Sequence, residues 1–449
     1  MSLSTAIARL GTDDLAEMYF DLSIHELGRR AWETTERLHP EDYRTYVVDR
    51  NINYANWCTA RCIFCNFQAD PPQMDSGRRD LPAGYTLSFE QIGRKIEELI
   101  AIGGTQLLMQ GGLVPATGEV GLPFDWYLDL MRFIRKHYPQ IHIHAFSPPE
   151  IFAFHRAFDM SIHDVLGRLQ EAGLDSVPGG GAEILSDRVR RKIGQGKTMT
   201  GEWLEVMRQC HILGMTTSCT MMFGHIETLE ERFEHLRLLR ELQDESLARG
   251  NGGGFGAFIC WTFQPGDTPL GRVKKLGEET PKRQNVKTSR PFSRDPTGSA
   301  SADTTLPVGS RLNMGHPSAT DDSPRATRYA ARPVNDGNHL LLADAHEYLT
   351  MLALSRLYLD NVPNIQSSWV TMGPKIGQLS LFFGANDMGS VMMEENVVSA
   401  AGTTYRLNEQ AIRRLITDAG WRPQKRDYYY HPIASDSSKP QSPSRPAGP

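Results

Sequence analysis

Residues 51–67 read NINYANWCTARCIFCNF and hold three of the chain's six cysteines, Cys58, Cys62 and Cys65, in the spacing C-x-x-x-C-x-x-C. Three thiolates on one short loop can bind one face of an iron–sulfur cluster and leave one iron without a protein ligand. The residues around its start, 45–54, are typical of a β-strand. The stretch therefore predicts an open-iron cluster at the carboxyl end of a first strand, where α/β barrels hold their catalytic groups.

Other uses of these cysteines fit the spacing less well. A structural zinc site normally has four ligands, and no second C-x-x-C pair lies near this one. A disulfide framework belongs to small domains, and a ferredoxin cluster needs a fourth cysteine close by. The other cysteines, Cys210, Cys219 and Cys260, stand alone in apolar segments and are predicted to be core residues. A noncatalytic zinc-binding scaffold remains the alternative from another functional class.

The composition is that of a globular enzyme. The 449 residues are 40% hydrophobic and 22% charged, and the net charge of -5 offers no basic field for nucleic acid. No run of 18 apolar residues occurs, and the N-terminus carries acids where a signal peptide needs a basic start. We therefore predict a cytoplasmic protein with no nucleic-acid partner and no membrane partner.

The fold is indicated by strands that alternate with helices. Ser88 and Gln91 predict a capping box before an amphipathic helix, and strands recur at intervals of roughly 35 to 40 residues, which is the rhythm of parallel βαβ units. We therefore predict an α/β fold, a TIM-like (β/α) barrel with an N-terminal helical extension and a disordered insertion. The predicted strands up to residue 263 cover 45–54, 105–112, 141–150, 176–185, 216–227 and 254–263.

Composition also predicts the domain organisation. Residues 276–337 are rich in Ser, Thr, Pro, Arg and Asp without apolar periodicity, and the tail is rich in Ser and Pro. The predicted parts are an N-terminal helical extension over 1–44, a barrel core over 45–275, a disordered low-complexity insertion over 276–337, barrel-completing helices and strands over 338–430, and a disordered tail over 431–449.

Several unusual motifs fall at predicted strand carboxyl ends, which favours one shared active site. Besides the cysteines they are 110–112, 147–150, 179–183, 224–227 and 264–266. Glycines such as Gly111 and Gly112 let a backbone approach a ligand, although they are also ordinary turn residues. Glu183 is a candidate to take a ligand amine or ribose hydroxyl, or a surface carboxylate.

The histidines and arginines leave two readings open. His142 and His144 alternate along one strand, so both point either into the barrel toward substrate or outward as buried polar residues. His225 and Glu227 are better placed to shuttle a proton. The triplet Arg188, Arg190 and Arg191 can receive a carboxylate or phosphate, or can be a solvated helix face.

The cysteine motif, with Phe64 before its last cysteine, resembles the signature of radical S-adenosylmethionine enzymes. Within that superfamily the chain is most similar to the cyclic dehypoxanthinyl futalosine synthases of the futalosine route to menaquinone. The blocks SPPEI, WTFQPG and GANDMGSVMMEEN favour this family over aminofutalosine synthases and deazaflavin-forming synthase subunits, which remain the alternatives. The resemblance runs from about residue 15 to residue 427 and omits the insertion and the tail.

The resemblance implies the cofactors and partners. Cys58, Cys62 and Cys65 would hold a 4Fe-4S cluster, whose open iron chelates S-adenosylmethionine. A 5′-deoxyadenosyl radical would then take the ribose C4′ hydrogen of dehypoxanthine futalosine, a nucleoside-like small molecule, and the ribosyl radical would add to its benzoate ring. An external electron donor of flavodoxin or ferredoxin type is implied as well.

Roles for other residues follow from their positions in the matching motifs. Loss of a proton and an electron restores the aromatic ring, and His225 is the predicted proton acceptor, with Glu227 beside it. The residues expected to face S-adenosylmethionine are Gln110, Gly111, Gly112, Ser147 and Glu183, and those expected to border the substrate are His144, Asn386 and Asp387. The chain departs from the family at Trp57 and Asn66, which alter loop polarity beside the cluster.

Overall fold

The structure is a computed structural model that describes residues 9–71, 84–275, 335–394, 399–402 and 405–433. Contacts divide the chain into two compact units, residues 1–276 with 334–449, and residues 277–333. The second unit lies outside the described residues. So do most of the predicted insertion and residues 434–449 of the predicted tail. In the described part of the chain, no helix is long and apolar enough to cross a lipid bilayer.

Eight segments in the main unit form a parallel barrel, which confirms the predicted fold. Seven of them contain regular strands: β1 Tyr43–Val47 continued by β2 Asp49–Ile52, β4 Gln106–Met109, β5 His142–Ala145, β7 Thr216–Phe223, β8 Gly254–Thr262, β9 Asn364–Gln366 and β10 Asp387–Ser390. Strands β7, β8, β9, β10 and β1 pair in that order, and β2 continues the series through β4 to β5.

The predicted first strand is divided in two because it closes the barrel. Its first half, β1, pairs with β10, and its second half, β2, pairs with β4. The change of partner falls at Val48, whose carbonyl accepts from the amide of Thr105 at 3.2 Å. One bent strand thus joins the last strand of the barrel to the second, and it carries the cysteine loop directly beyond its end.

The predicted strand over 176–185 is an extended segment rather than a regular strand. Ser176 forms a parallel bridge with His144 on one side, and the carbonyl of Glu183 accepts from Met222 on the other at 3.0 Å. The three consecutive glycines at 179–181 provide few side chains to pack, so the segment turns across the barrel mouth instead of continuing as a strand. It nevertheless fills the gap between β5 and β7.

The helices cover the outside of the barrel. The predicted capping box is confirmed, since Ser88 Oγ accepts from the Gln91 amide at 3.3 Å and Gln91 Oε1 accepts from the Ser88 amide at 2.7 Å. The helices are α1 Thr12–Asp21, α2 Ile24–Leu38, α3 Phe89–Ala101, α4 Phe124–His137, α5 Pro148–Ala157, α6 Ile162–Ala172, α7 Asp187–Ile193, α8 Thr200–Ile212, α9 Leu229–Arg249, α10 Ala345–Tyr358, α11 Trp369–Met372, α12 Pro374–Leu379 and α13 Glu409–Asp418.

Three short strands complete the architecture. β3 Arg61–Cys62 lies in the cysteine loop and pairs antiparallel with β6 Gly194–Gln195. β11 Arg422–Lys425 pairs with β1 on its outer edge. The chain then passes beneath the barrel, where the Tyr428 hydroxyl donates to the Thr216 carbonyl at the start of β7 at 2.9 Å. The C-terminal segment thereby closes the end of the barrel opposite the cysteine loop.

Candidate active site

The three cysteines lie on a loop that is fixed at several points. The amide of Cys58 donates to the Ala69 carbonyl at 3.0 Å, and the amide of Cys65 donates to the Cys62 carbonyl at 3.1 Å. Cys62 itself belongs to the β3 strand that pairs with β6. A backbone donor also points at a sulfur, because the Leu113 amide lies 3.3 Å from Cys58 Sγ. The loop is therefore ordered mainly by bonds between backbone groups, with a further backbone bond to the sulfur of Cys58.

The donor set fits an iron–sulfur cluster. All three thiols are free and half-buried, and Cys58 and Cys65 both raise the pKa of Cys62. Burial raises the pKa of Cys58 to about 11 and that of Cys62 to about 12, so deprotonation needs a positive group beside them. Three soft sulfurs with a backbone N–H aimed at one of them suit such a cluster. Among the described residues, no group of three His, Cys, Asp or Glu side chains is placed to hold a single metal ion.

A cavity of about 300 Å³ runs through the barrel interior below this loop. Three of the predicted site residues line it, namely Gln110, His144 and Glu183. Its lining comes from almost every barrel segment, so one bound molecule can touch groups from the whole barrel. Sequence reasoning did not select most of the other lining residues, among them Asp49, Asn51, Gln106, Ser218, Trp261, Met392, Arg426, Tyr428 and Tyr430.

Gly112 allows a close backbone approach beside the cysteine loop, as predicted. The group that approaches it is part of the protein and not a ligand. A Cβ atom at this position would stand 2.0 Å from the Trp57 carbonyl oxygen and 3.0 Å from Cys58 Cβ. Gly111 is similarly packed, because a Cβ atom there would stand 2.4 Å from the ring of Tyr54. Both glycines therefore let the strand end pack against the residues that precede and include the first cysteine.

Ser147 is bonded to the carboxylate of Glu150, the last residue of the 147–150 motif, to which the sequence assigned no role. Its amide and hydroxyl donate to Glu150 Oε2 at 2.8 and 2.6 Å. The other oxygen, Oε1, accepts from the Tyr54 hydroxyl at 2.7 Å and from the Gly111 amide at 3.0 Å. Burial raises the pKa of Glu150 to about 7. This carboxyl group joins the ends of β2, β4 and β5 beneath the cysteine loop.

Glu183 is the charged residue of the upper cavity, the part of the cavity lined by Gln110 and Glu183. Its backbone has φ +40°, a left-handed conformation that turns the side chain out of the extended segment. Lys197 Nζ lies 2.6 Å from Glu183 Oε2, and Arg190 Nη1 lies 4.0 Å from the same oxygen. Lys197 also stands over the ring of Phe64 in the cysteine loop, 5.1 Å from its centroid. The only sequence signal for Lys197 was its place between glycine-flanked β6 and α8.

The arginine triplet does not act as one group. Arg190 is buried and donates to the carbonyls of Gly181 and Thr198 at 2.9 and 2.6 Å. Arg188 pairs with Glu231 at 2.5 Å, and exposed Arg191 pairs with Asp187 at 3.5 Å. None of the three lines the cavity. The solvated-face reading therefore describes Arg191, while Arg190 supports the segment that carries Glu183.

Asn386 and Asp387 are placed outside the cavity lining. Asn386 bonds Arg356 and Asn364 at 2.7 and 2.9 Å, and so ties α10 to β9. Asp387 accepts from Arg426 Nε and Nη2 at 2.6 and 3.0 Å. Arg426 does line the cavity. Asp387 therefore positions a cavity residue instead of facing the cavity itself, in contrast to its predicted place beside the substrate.

His225 and Glu227 are also not brought to the cavity. The turn after β7 folds Glu227 back so that it accepts from the amides of Gly224 and His225 at 2.6 and 2.9 Å. Glu227 Oε1 lies 2.8 Å from Nε of the Arg232 guanidinium, and His225 Nδ1 lies 3.0 Å from Glu227 Oε2. These contacts hold the pKa of Glu227 well below its usual range despite burial, with His225 and Arg232 supplying the charge. Glu227 thus forms an internal ion pair with Arg232, which stabilises the start of α9.

Comparison with known families covers both halves of the chain. The radical SAM superfamily matches residues 52–239, which include the three cysteines and the upper cavity. The CofH/MqnC C-terminal region matches residues 338–438, which include β9, β10 and the segment that closes the barrel floor.

Two relatives match nearly the whole chain. The cyclic dehypoxanthine futalosine synthase of Halalkalibacterium halodurans is 37% identical over 431 residues, which cover 96% of this chain and 93% of that protein. The 5-amino-6-(D-ribitylamino)uracil–L-tyrosine 4-hydroxyphenyl transferase 1 of Methanosarcina mazei is 33% identical over 434 residues, covering 95% of this chain and 93% of that protein.

A solved structure shows the same fold at low identity. Methylornithine synthase aligns with a TM-score of 0.56 and 15% identity, and the alignment covers 93% of this chain and 94% of that one. The barrel with its added C-terminal segment is thus an arrangement already seen in crystals.

Proposed function

Because the chain belongs to the radical S-adenosylmethionine superfamily and to the family with the CofH/MqnC C-terminal region, we propose that it cyclises dehypoxanthine futalosine. It is a radical S-adenosylmethionine enzyme, and its cofactors are a 4Fe-4S cluster and S-adenosylmethionine. The product is cyclic dehypoxanthinyl futalosine, an intermediate of menaquinone biosynthesis. The observation that carries the proposal is the 37% identity to a cyclic dehypoxanthine futalosine synthase over 96% of the chain.

The residues that would hold the cofactors lie on the cysteine loop and in the cavity lining. Cys58, Cys62 and Cys65 would bind the cluster, and Gln110 and Glu183 would face S-adenosylmethionine. The chemistry that these cofactors supply when bound is a 5′-deoxyadenosyl radical, which removes the ribose C4′ hydrogen so that C4′ can add to the benzoate ring. Glu183 is suited to an amino group, because its buried carboxylate already forms an ion pair with the ammonium of Lys197.

The lower part of the cavity, where Asn51, Gln106 and Arg426 line it, has groups that suit a ribosyl benzoate. Asn51 Oδ1 and Gln106 Oε1 are buried acceptors without a hydrogen-bond partner among the described residues, and both side chains line the cavity. Ribose hydroxyls would satisfy them, which a purely apolar ligand would not. Arg426 is a cation on the same lining and would attract the benzoate carboxylate, although Asp387 already takes part of its charge.

Enclosure is the other contribution of the chain. The barrel wall surrounds the cavity, and Tyr428 and Tyr430 cover its floor. A carbon radical that is kept from water and from other hydrogen donors survives long enough to form the intended bond. Electrons would come from an external donor of flavodoxin or ferredoxin type. This donor would approach the cysteine loop, whose cysteines are only half-buried.

The test is anaerobic reconstitution followed by incubation with S-adenosylmethionine, a reductant and dehypoxanthine futalosine carrying deuterium at C4′. The expected result is a cyclised product that lacks the C4′ deuterium and one ring hydrogen, together with 5′-deoxyadenosine that has gained the deuterium. Cleavage of S-adenosylmethionine without this cyclised product would overturn the assigned substrate. A colourless zinc protein would overturn the cofactor assignment as well.

A second candidate is the reaction of the archaeal relatives, since the Methanosarcina mazei transferase is 33% identical over 95% of the chain. The same reconstituted protein would be incubated with 5-amino-6-(D-ribitylamino)uracil and L-tyrosine. Product from these compounds, with none from dehypoxanthine futalosine, would replace the proposed function by this one.

A further inference from the structure

Two histidines of β5 are joined through one serine hydroxyl. His144 Nδ1 lies 2.7 Å from Ser176 Oγ, and His142 Nε2 lies 2.7 Å from the same oxygen. Ser176 is completely buried. The predicted alternation of the two histidines on one face of the strand is what allows a single hydroxyl from the neighbouring segment to bridge them.

One end of this chain of hydrogen bonds lies in the barrel cavity, and the other end lies beside a residue of a second cavity. His144 lines the barrel cavity, where the only partner that its Nε2 atom has among the described residues is the distant Ser218 hydroxyl, 3.4 Å away. His142 Nδ1 faces Asp175 Oδ2 at 3.9 Å. Asp175 lines a second cavity of about 340 Å³ on the outer surface of the barrel. The bridge thus runs along β5 from the substrate cavity toward the second cavity.

The surroundings keep the path in place. The ring of Tyr428 stacks on His142 with centroids 4.0 Å apart and planes at 13°, and it also contacts His144 at 4.8 Å. Asp175 is held by Arg135 at 2.5 Å and by the Ile143 amide at 2.7 Å. The bridging oxygen has the Tyr428 hydroxyl as a further neighbour.

We propose that His144 accepts the proton that leaves the benzoate ring during cyclisation, and that Ser176 and His142 pass a proton on to the Asp175 side of the barrel. The proposal rests on the cyclase function, whose last step must remove one proton and one electron from the ring radical. His225, which the sequence favoured for this task, does not line the cavity.

The step balances as follows. The ring C–H bond breaks, its proton goes to His144 Nε2, and one electron goes to a one-electron acceptor of the iron–sulfur class. His144 Nδ1–H passes its proton to Ser176 Oγ, which gives its own proton to His142 Nε2. His142 releases Nδ1–H toward Asp175 and solvent. After product release opens the cavity to water, passage in the opposite direction resets both rings.

The electrostatics explain why a relay is needed. Burial lowers the pKa of His144 well below its usual value, and the positive charge of Arg426 lowers it further, as does His142 when protonated. Burial also lowers the pKa of His142 to about 4, with Arg135 acting in the same direction and Asp175 and Asp427 opposing it. Both rings are therefore neutral near pH 7. An imidazolium at His144 would be costly, and the relay moves the charge to the solvent side as it forms.

The geometry also makes a prediction for the cofactor-free protein. One hydroxyl proton can serve only one of the two facing nitrogens, so the other ring must donate its own N–H. His142 and His144 must therefore share a tautomer, both Nδ1–H or both Nε2–H. Side-chain ¹⁵N NMR at pH 7 measures this directly. His211, which lies between the hydroxyls of Ser246 and Thr217 at 2.6 and 2.8 Å, is the internal control.

The experiment compares wild type, Ser176→Ala and Ser176→Thr. In Ser176→Ala we expect the two tautomers to lose their match while His211 is unchanged. In the loaded enzyme, we expect at least a tenfold fall in product per 5′-deoxyadenosine, with accumulation of a carbon-centred radical in the EPR spectrum. Ser176→Thr, which keeps the hydroxyl, should restore both readouts, and formation of 5′-deoxyadenosine shows that the variants are folded.

The outcomes separate this proposal from the proposed function. No cyclised product from the wild type would overturn the cyclase function, while the tautomer measurement needs no substrate. Normal product per 5′-deoxyadenosine in Ser176→Ala, or different tautomers of His142 and His144 in the wild type, would overturn the relay.

Discussion

Lys197 places its ammonium nitrogen 2.6 Å from a carboxylate oxygen of Glu183, and both residues are more than nine-tenths buried. The pair links β6, which pairs with the cysteine loop, to the segment that closes the barrel. The positive charge of Lys197 also lowers the pKa of Cys62 and Cys65, although burial raises both pKa values by more. One ion pair thus connects the cysteine loop to the predicted S-adenosylmethionine side of the cavity.

Lys197→Met should therefore destabilise the protein and weaken its binding of S-adenosylmethionine. Removing one partner of a buried ion pair costs about 3–5 kcal/mol, and Arg190 at 4.0 Å places the expected loss at the lower end. Denaturant unfolding and equilibrium binding to the cluster-loaded protein measure the two effects. Lys192→Met, at an exposed position bonded to the Gly337 carbonyl, is the matched control and should change stability by less than about 0.5 kcal/mol. Equal stability of both variants would contradict the argument.

Serine at Cys58, Cys62 or Cys65 should abolish the cluster and the activity together. The harder hydroxyl is a poor substitute for a thiolate on iron. The control is Cys210→Ala, because Cys210 is buried in α8 away from the cavity lining. It should keep the brown colour and the full iron and sulfide content while losing about 1 kcal/mol of stability. An active variant at any of the three loop positions would remove that cysteine from the ligand set.

Gly112→Ala should displace the cysteine loop without unfolding the barrel. The new methyl group would stand 2.0 Å from the Trp57 carbonyl oxygen, so the backbone before Cys58 has to move. We expect a loss of most bound iron with the circular dichroism spectrum unchanged. Gly167→Ala in α6 meets no atom within 4 Å and is the matched control, with a gain of about 0.5–1 kcal/mol in stability. Normal iron content in Gly112→Ala would show that the loop tolerates the shift.

The sequence could predict what depends on local patterns. The cysteine spacing, the capping box at Ser88 and the alternation of strands and helices each need only neighbouring residues. The contacts that complete the site join distant residues: Arg426 meets Asp387 across 39 positions, and Tyr428 meets Thr216 across 212. The position of the Glu227 side chain could not be predicted either. Its carboxylate pairs with Arg232, one turn into α9, instead of extending from the end of the strand. Such pairings depend on how the barrel closes, which no local pattern encodes.

Glu150 should make the protein less stable as the pH rises from about 4.5 to about 7. Burial raises its pKa to about 7 in the folded state from the ordinary value of 4.5, so the folded protein binds more protons than the unfolded chain in this window. The contribution is fully present below pH 4.5 and is lost above pH 7, a change of about 3 kcal/mol at 1.36 kcal/mol per unit. Unfolding free energies of wild type and Glu150→Gln from pH 4.5 to 8 check this. Parallel curves for the two proteins would contradict it.

His225→Ala tests whether the residue acts on chemistry or on folding. The ring is fully buried 3.0 Å from Glu227, and outside the cavity lining. Its removal leaves polar groups of the turn unpaired, at a cost of about 1–3 kcal/mol. Cyclised product and 5′-deoxyadenosine should therefore fall by the same factor, in proportion to the folded fraction measured by thermal unfolding. His144→Gln should instead lose product while 5′-deoxyadenosine is still formed. A selective loss of product in His225→Ala with unchanged thermal stability would return the role of proton acceptor to His225, because only the loss of a group that handles the ring proton can separate the two yields.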